Sequence, residues 1–185
     1  MATAAAEAEE PAARTTARSL IFVYGTLKEG FPNHSLLQDM VATGDVAAHG
    51  PRRTVHRLPL VCGPYGIPFL LNFPGHGHRV SGEIYAVSPA ALAKLDELEG
   101  ILEGHYERLP IEIESEEAAP VEAYFGHHSF AEALWRRSHG GEVCCYTEGA
   151  ARGYVGRRHR PPHITFLQHI HTYVSSSSSS SSSPR

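Results

Sequence analysis

The sequence predicts an α+β domain, and three observations lead there. Short apolar, β-rich runs bounded by Gly and Pro, such as residues 19–24 (SLIFVY) and 79–87 (RVSGEIYAV), read as strands. Helical patterns with recognisable start and stop residues stand between them, the clearest at 88–100. The two kinds of segment follow one another without the regular strand–helix rhythm of a doubly wound sheet. A chain of 185 residues, 42% apolar and 19% charged, is expected to build one globular domain with a real core.

Taken in order, residues 1–17 are rich in Ala, Glu and Thr and lack the apolar stretch of a signal peptide; they are expected to be a disordered leader. The domain occupies 18–174. Its first strand stops at Gly25, and a loop with Gly30 and Pro32 runs to Asn33. A short helix is expected over 35–40. Residues 43–73 are rich in Gly and Pro and contain two β-like pieces, VHRLPLV and IPFLLNF. After the strand at 79–87, Ser88 is a good N-cap, Pro89 suits the first helical position, and Gly100 stands where a helix closes. Residues 106–113 and 121–125 read as two strands separated by an acidic loop at 114–117. The tetrapeptide Ser129-Phe130-Ala131-Glu132 has the form of a capping box, predicting a helix to about Arg137. A last amphipathic helix is expected over about 163–174. The serine run in 175–185 is expected to be disordered.

Composition excludes several function classes. A formal charge of −4 does not provide the cationic surface of a nucleic-acid groove or of a polybasic membrane patch. No run approaches the ~18 apolar residues of a transmembrane helix. Three cysteines, two of them the adjacent Cys144 and Cys145, are not a disulfide framework, which points to a reducing, cytoplasmic location. Thirteen histidines include the close pairs His127/His128 and His159/His163, but no cluster reproduces a structural zinc spacing, so no metal site is expected.

Two stretches carry chemistry. In the first, Tyr24-Gly25-Thr26-Leu27-Lys28-Glu29-Gly30 follows a buried strand, and a loop opening at glycine can turn successive N–H groups toward an anion. Phosphate is the rival ligand to carboxylate. Gly25 and Gly30 have the spacing of a Walker loop, but Phe31 and Pro32 stand where its Lys-Ser/Thr pair belongs. Taken alone, this stretch fits an ordinary strand-to-loop turn better than an anion site.

The second is the helix at 89–99. At about 100° per residue, Ala91, Leu92, Leu95 and Leu98 share one arc, with Lys94 and Glu97 opposite. Glu99 lies inside the apolar arc and Asp96 at its edge. A carboxyl directed at the core and set at a helix C-terminus is disfavoured as an anion on both counts, so its pKa is expected to rise toward neutrality. Taken alone, the pattern fits somewhat better a Glu that reaches out of a frayed last turn or caps a neighbouring loop.

Several of these segments occur together in one family. Val23-Tyr24-Gly25-Thr26-Leu27-Lys28, then Gly82-Glu83-Ile84-Tyr85, then Leu95-Asp96-Glu97-Leu98-Glu99-Gly100, with Asn33-His34, Ile67-Pro68-Phe69-Leu70-Leu71 and Tyr106-Glu107-Arg108, resemble the γ-glutamylcyclotransferase superfamily. Within it they resemble the γ-glutamylamine cyclotransferase branch and its plant avirulence-induced-gene-like relatives. The resemblance spans about 20–124 and continues more weakly through 131–137 and 151–155. It implies a small mixed β-barrel surrounded by short helices. It implies an intramolecular cyclisation of a γ-glutamyl amine or γ-glutamyl amino acid to 5-oxoproline with release of the amine, without a cofactor, by a monomer whose partner is its small-molecule substrate. It implies that Glu99 is the general acid/base, that Tyr24, Gly25, Thr26 and Leu27 hold the substrate, and that Tyr106 lines the pocket. The alternative on the same fold is a non-catalytic small-molecule-binding or defence-associated interaction protein. The segments after Phe125 match the family least, leaving the leaving-group walls unassigned.

Overall fold

The computed structural model describes residues 17–114 and 119–176. The leader as far as residue 16, the serine tail beyond Ser176 and most of the acidic loop lie outside the described residues.

β1 (Ser19–Val23) is built on a period of two. Ile21 and Val23 enter the core between sheet and helices, whereas Phe22 and the following Tyr24 enter a second core on the opposite face. Among the described residues seven strands form one sheet: β1, β2 (Val46–Leu58), β3 (Leu60–Cys62), β4 (Pro68–Leu70), β5 (His78–Val87), β6 (Tyr106–Ile111) and β7 (Val121–Gly126). β5 runs antiparallel between β2 and β1, while β1 lies parallel to β7 with Ile21 opposite Glu122. β7 has β6 along one edge; on the other, β1 pairs with its first half, and β4 takes over where Leu70 meets Phe125. A bridge between Thr54 and Ile113, with Val55 N–H donating to Glu112 O (2.9 Å), joins β2 to the end of β6 and curls the sheet into a partial barrel. The expected mixed barrel with short helices around it is thus present, as an incompletely closed one.

Helices α1 (His34–Ala42), α2 (Pro89–Glu99), α3 (His128–Arg137), the single turn α4 (Glu148–Ala151) and α5 (Phe166–Ser175) surround it. α2 has the expected ends. Ser88 Oγ accepts from Ala91 N–H (3.1 Å), and Gly100 closes the helix in the left-handed region at φ 66°. Leu98 departs from the wheel: it is exposed, because the last turn leaves the sheet and reaches the rim of a cavity.

Four sequence expectations need correction. β2 begins at Val46, well before its β-like piece, because it is an outer strand with few buried residues and a register shift at Gly50, whose φ is 83°. IPFLLNF shortens to Pro68–Leu70. The capping box at Ser129 does not form: α3 starts earlier with His127 as N-cap, its ring accepting from Ser129 N–H (3.3 Å), and Glu132 pairs instead with Arg136. α5 starts at Phe166 rather than near 163, because the capping box is formed by Thr165 and Gln168.

Candidate functional site

Where β1 leaves β7 and β4 replaces it, the chain turns through Gly25 at the floor of a cavity of about 590 Å³, a volume typical of small-ligand sites. The turn packs closely: a Cβ on Gly25 would stand 2.6 Å from Pro68 Cγ. Among the described residues the loop's own backbone bonds are donated by Lys28 N–H to Gly25 O (3.2 Å), by Phe31 N–H to Lys28 O (3.0 Å) and by Asn33 N–H to Thr26 O (2.9 Å), and none by Gly25, Thr26 or Leu27. Lys28 is buried and directed away from the ligand-binding side: its Nζ donates to Tyr146 O (2.9 Å) and lies over the Phe31 ring.

Tyr24, Gly25, Thr26, Leu27, Glu99 and Tyr106 all line this cavity, so the structure brings together every site residue named from the sequence. Tyr24 OH donates to Tyr124 O (2.6 Å) and accepts from Leu70 N–H (3.3 Å); Tyr106 OH donates to Pro68 O (3.0 Å). Burial first, and the charge of Glu99 second, hold Tyr24 above the ordinary range. Burial likewise raises Tyr106 and Tyr124, with Glu99 contributing. All three hydroxyls remain protonated donors at neutral pH.

α2 is anchored three residues before Glu99. Asp96 accepts from Tyr124 OH (2.7 Å) and from Arg108 Nε (3.0 Å), and Arg108 also pairs with Glu122. This network on β6 and β7 fixes the helix end that carries Glu99. Among the described residues no hydrogen bond or ion pair engages the Glu99 carboxyl itself. Burial therefore acts unopposed and pushes it up to about 7.

The shift has a stability consequence of definite sign. Between pH 4.5 and about 7 the folded carboxyl keeps a proton that the unfolded one has lost, so its contribution to stability falls as pH rises through that window. Glu99→Gln should melt like wild type near pH 4 and higher than wild type at pH 8, with a gain of at most ~3 kcal/mol. Thermal melts of both proteins across pH 4–8 check this; a gap that does not widen with pH contradicts it.

Sequence reading missed Asn33, His105 and Tyr124 as wall residues, and the whole C-terminal wall. Asn33 Nδ2 donates both to Thr26 Oγ1 and to Tyr154 OH (3.0 Å each), tying the loop to a segment 121 residues away. Arg157, Arg158 and Arg160, with Phe166 and His169, complete that wall. The signal was available as three arginines packed between Gly156 and the Pro161-Pro162 pair. Outside the cavity lining, Glu107, His127 and His128 place possible ligand atoms within 4.8 Å of one another. Their polar atoms already bond one another and the start of α3: His128 N–H donates to Glu107 Oε2, and His127 Nδ1 caps the helix. The three described cysteines are free.

A family model described as "Gamma-glutamyl cyclotransferase, AIG2-like" matches residues 21–142. An Arabidopsis thaliana protein named "Putative gamma-glutamylcyclotransferase" is 51% identical over 173 residues, covering 85% of this chain and 92% of that one. The human protein named "Gamma-glutamylaminecyclotransferase" is 49% identical over 82 residues, 44% of this chain and 53% of its own length. The crystal structure of a mouse AIG2-like protein superposes with a TM-score of 0.64 at 33% identity, over 77% of this chain and 99% of that one.

Proposed function

The chain belongs to the γ-glutamyl cyclotransferase, AIG2-like family, and from that premise we propose that it closes a γ-glutamyl amine or γ-glutamyl amino acid into 5-oxoproline and releases the free amine. The observation that carries this reading is the Glu99 carboxyl, free of protein partners and raised to about 7, on the same cavity as the loop of Tyr24, Gly25, Thr26 and Leu27. The substrate contains its own nucleophile, so the chief demand on the protein is to hold a folded conformer. N–H groups of Gly25, Thr26 and Leu27, absent from the loop's own bonding, are suited to the substrate α-carboxylate. Buried Tyr24 and Tyr106 give that end of the cavity a rigid, water-poor floor.

The steps balance with Glu99 alone. Its carboxylate takes a proton from the α-ammonium, and the α-nitrogen attacks the γ-carbonyl carbon. The carbon–nitrogen bond to the leaving group then breaks as the Glu99 acid returns its proton to the departing nitrogen, and the regenerated carboxylate takes the second proton of the ring nitrogen, leaving the neutral lactam, and passes it to the released amine or to water. A carboxyl near pKa 7 is matched to both tasks. We further place the protein in the cytoplasm as a monomer. Its free thiols suit a reducing compartment, and no described helix is long and apolar enough to cross a membrane.

The test is release of 5-oxoproline across a panel of γ-glutamyl amines, γ-glutamyl-ε-lysine and γ-glutamyl amino acids. Turnover of at least one class is expected. Folded protein that turns over none of them would instead be a binding protein on this fold.

A further inference from the structure

The segment from Tyr154 to His169 lies beyond the residues matched by the family model, which end at 142, yet it forms one wall of the cavity. It is held in place by specific contacts. Tyr154 OH accepts from Asn33 Nδ2 (3.0 Å), and Val155 N–H donates to Tyr65 O (3.0 Å). Arg160 Nε donates to Val155 O (2.8 Å), and its guanidinium stacks over the rings of Tyr65 and Tyr154. Burial divides the cavity into two ends. Tyr24, Gly25, Leu27 and Tyr106 are buried and form the floor, whereas Arg157, Arg158 and Glu103 are exposed at the rim.

We propose that this wall is the leaving-group subsite, and that Arg157, Arg158 and Arg160 select γ-glutamyl substrates whose departing amine carries a carboxylate over those whose departing amine is neutral or cationic. The inference rests on the cyclisation reading. Ring closure gathers the α-nitrogen, the γ-carbon and the side chain between them into one five-membered ring near Glu99. The substituent on the scissile nitrogen is the part left outside that ring, so it extends from floor to rim. There it meets the exposed guanidinium groups of Arg157 and Arg158, with the half-buried Arg160 beside them, against the single exposed carboxylate of Glu103. Arginine presents paired N–H donors in the geometry a carboxylate accepts, and an ammonium in the same place is repelled. The field of these arginines is already felt at the cavity wall, where Arg157 and Arg160 add to burial in lowering His105, against the opposing pull of Glu103.

Three substrates of matched size separate the alternatives: γ-glutamylglycine, γ-glutamylglycinamide and mono-γ-glutamyl-ethylenediamine, with anionic, neutral and cationic leaving groups. For the full chain, kcat/KM for 5-oxoproline release should fall in that order. The carboxylate should be favoured about tenfold over the amide, with the preference shrinking at ~1 M salt. In the double variant Arg157→Gln/Arg158→Gln the carboxylate-to-amide ratio should collapse toward one. Because it is a ratio within one protein, it is insensitive to the fraction folded. Equal turnover of all three by wild type, or an unchanged ratio in the double variant, overturns the subsite while leaving the cyclisation reading standing. Turnover of none of the three, nor of any member of the wider panel, overturns both.

Discussion

Glu99→Gln is expected to cyclise γ-glutamyl substrates at least ~10²-fold more slowly than wild type, while keeping the fold and the affinity for a γ-glutamyl ligand. Gln preserves volume and shape and cannot take the proton of the attacking ammonium. Residual rate would come from the loop and the floor, which still hold the folded conformer. Glu97→Gln, two residues earlier on the exposed face of α2, is the matched control and should turn over like wild type. The wild-type kcat/KM should also rise with pH through about 7, as Glu99 becomes the base, and this limb should vanish in Glu99→Gln. Turnover, ligand affinity and pH profile measured side by side decide the matter. Normal turnover by Glu99→Gln, or a dead Glu97→Gln, would remove Glu99 from the role of acid/base.

The second large effect concerns stability. Gly82, in β5, has no unusual backbone angle; what it provides is space. A Cβ there would stand 2.4 Å from Val23 O and 2.6 Å from Phe22 Cζ, so backbone and a fully buried ring both block it. Gly82→Ala must push β1 away from β5, at a cost of about 3 kcal/mol or more. That corresponds to a fall of roughly 6–12 °C in Tm for a chain of this size. Because β1 delivers the chain into the Gly25 loop, KM for γ-glutamyl substrates should rise as well. Gly149→Ala is the control. It lies exposed in α4 and its Cβ would meet only ordinary contacts at 3.5 Å and beyond, so it should be neutral or slightly stabilising. A Gly82→Ala protein melting within a degree of wild type would show that the strands can part without penalty.

The parts of this molecule that were legible in its sequence are those written locally. The period-two run of β1, the Ser88-Pro89 start and Gly100 stop of α2, and the position of Glu99 on the apolar arc each depend on residues within one turn or one strand of each other. The illegible parts depend on pairing at long range. Nothing in residues 46–54 announces a strand, because an outer strand with a bulge buries little and shows no alternation. Nor does local patterning foretell that Asn33 would grip Tyr154, or that three arginines beyond residue 142 would turn toward a cavity whose floor includes the Gly25 loop near the start of the chain. The Ser129 box failed for a related reason. The His127 ring accepts from the Ser129 N–H that Glu132 would have capped, and β7 ends at Gly126, so the chain enters α3 earlier than its sequence suggests.

The parallel pairing of β1 with β7 has a consequence for biosynthesis. Tyr24 and its partner Tyr124 are separated by 100 residues. At translation rates of 5–20 residues per second, β1 emerges roughly 5–20 s before the strand that covers its second edge. During that interval β5 can shield only one side, and the apolar Ile21-Phe22-Val23 run presents open backbone groups to any neighbouring nascent chain. A chain halted before Val121 therefore lacks both the cover for that edge and the strand against which the Gly25 loop is set. Such fragments should partition to chaperones or aggregates rather than to a partly active enzyme, and the wall carrying Arg157, synthesised last, can dock only once β7 is in place beneath it.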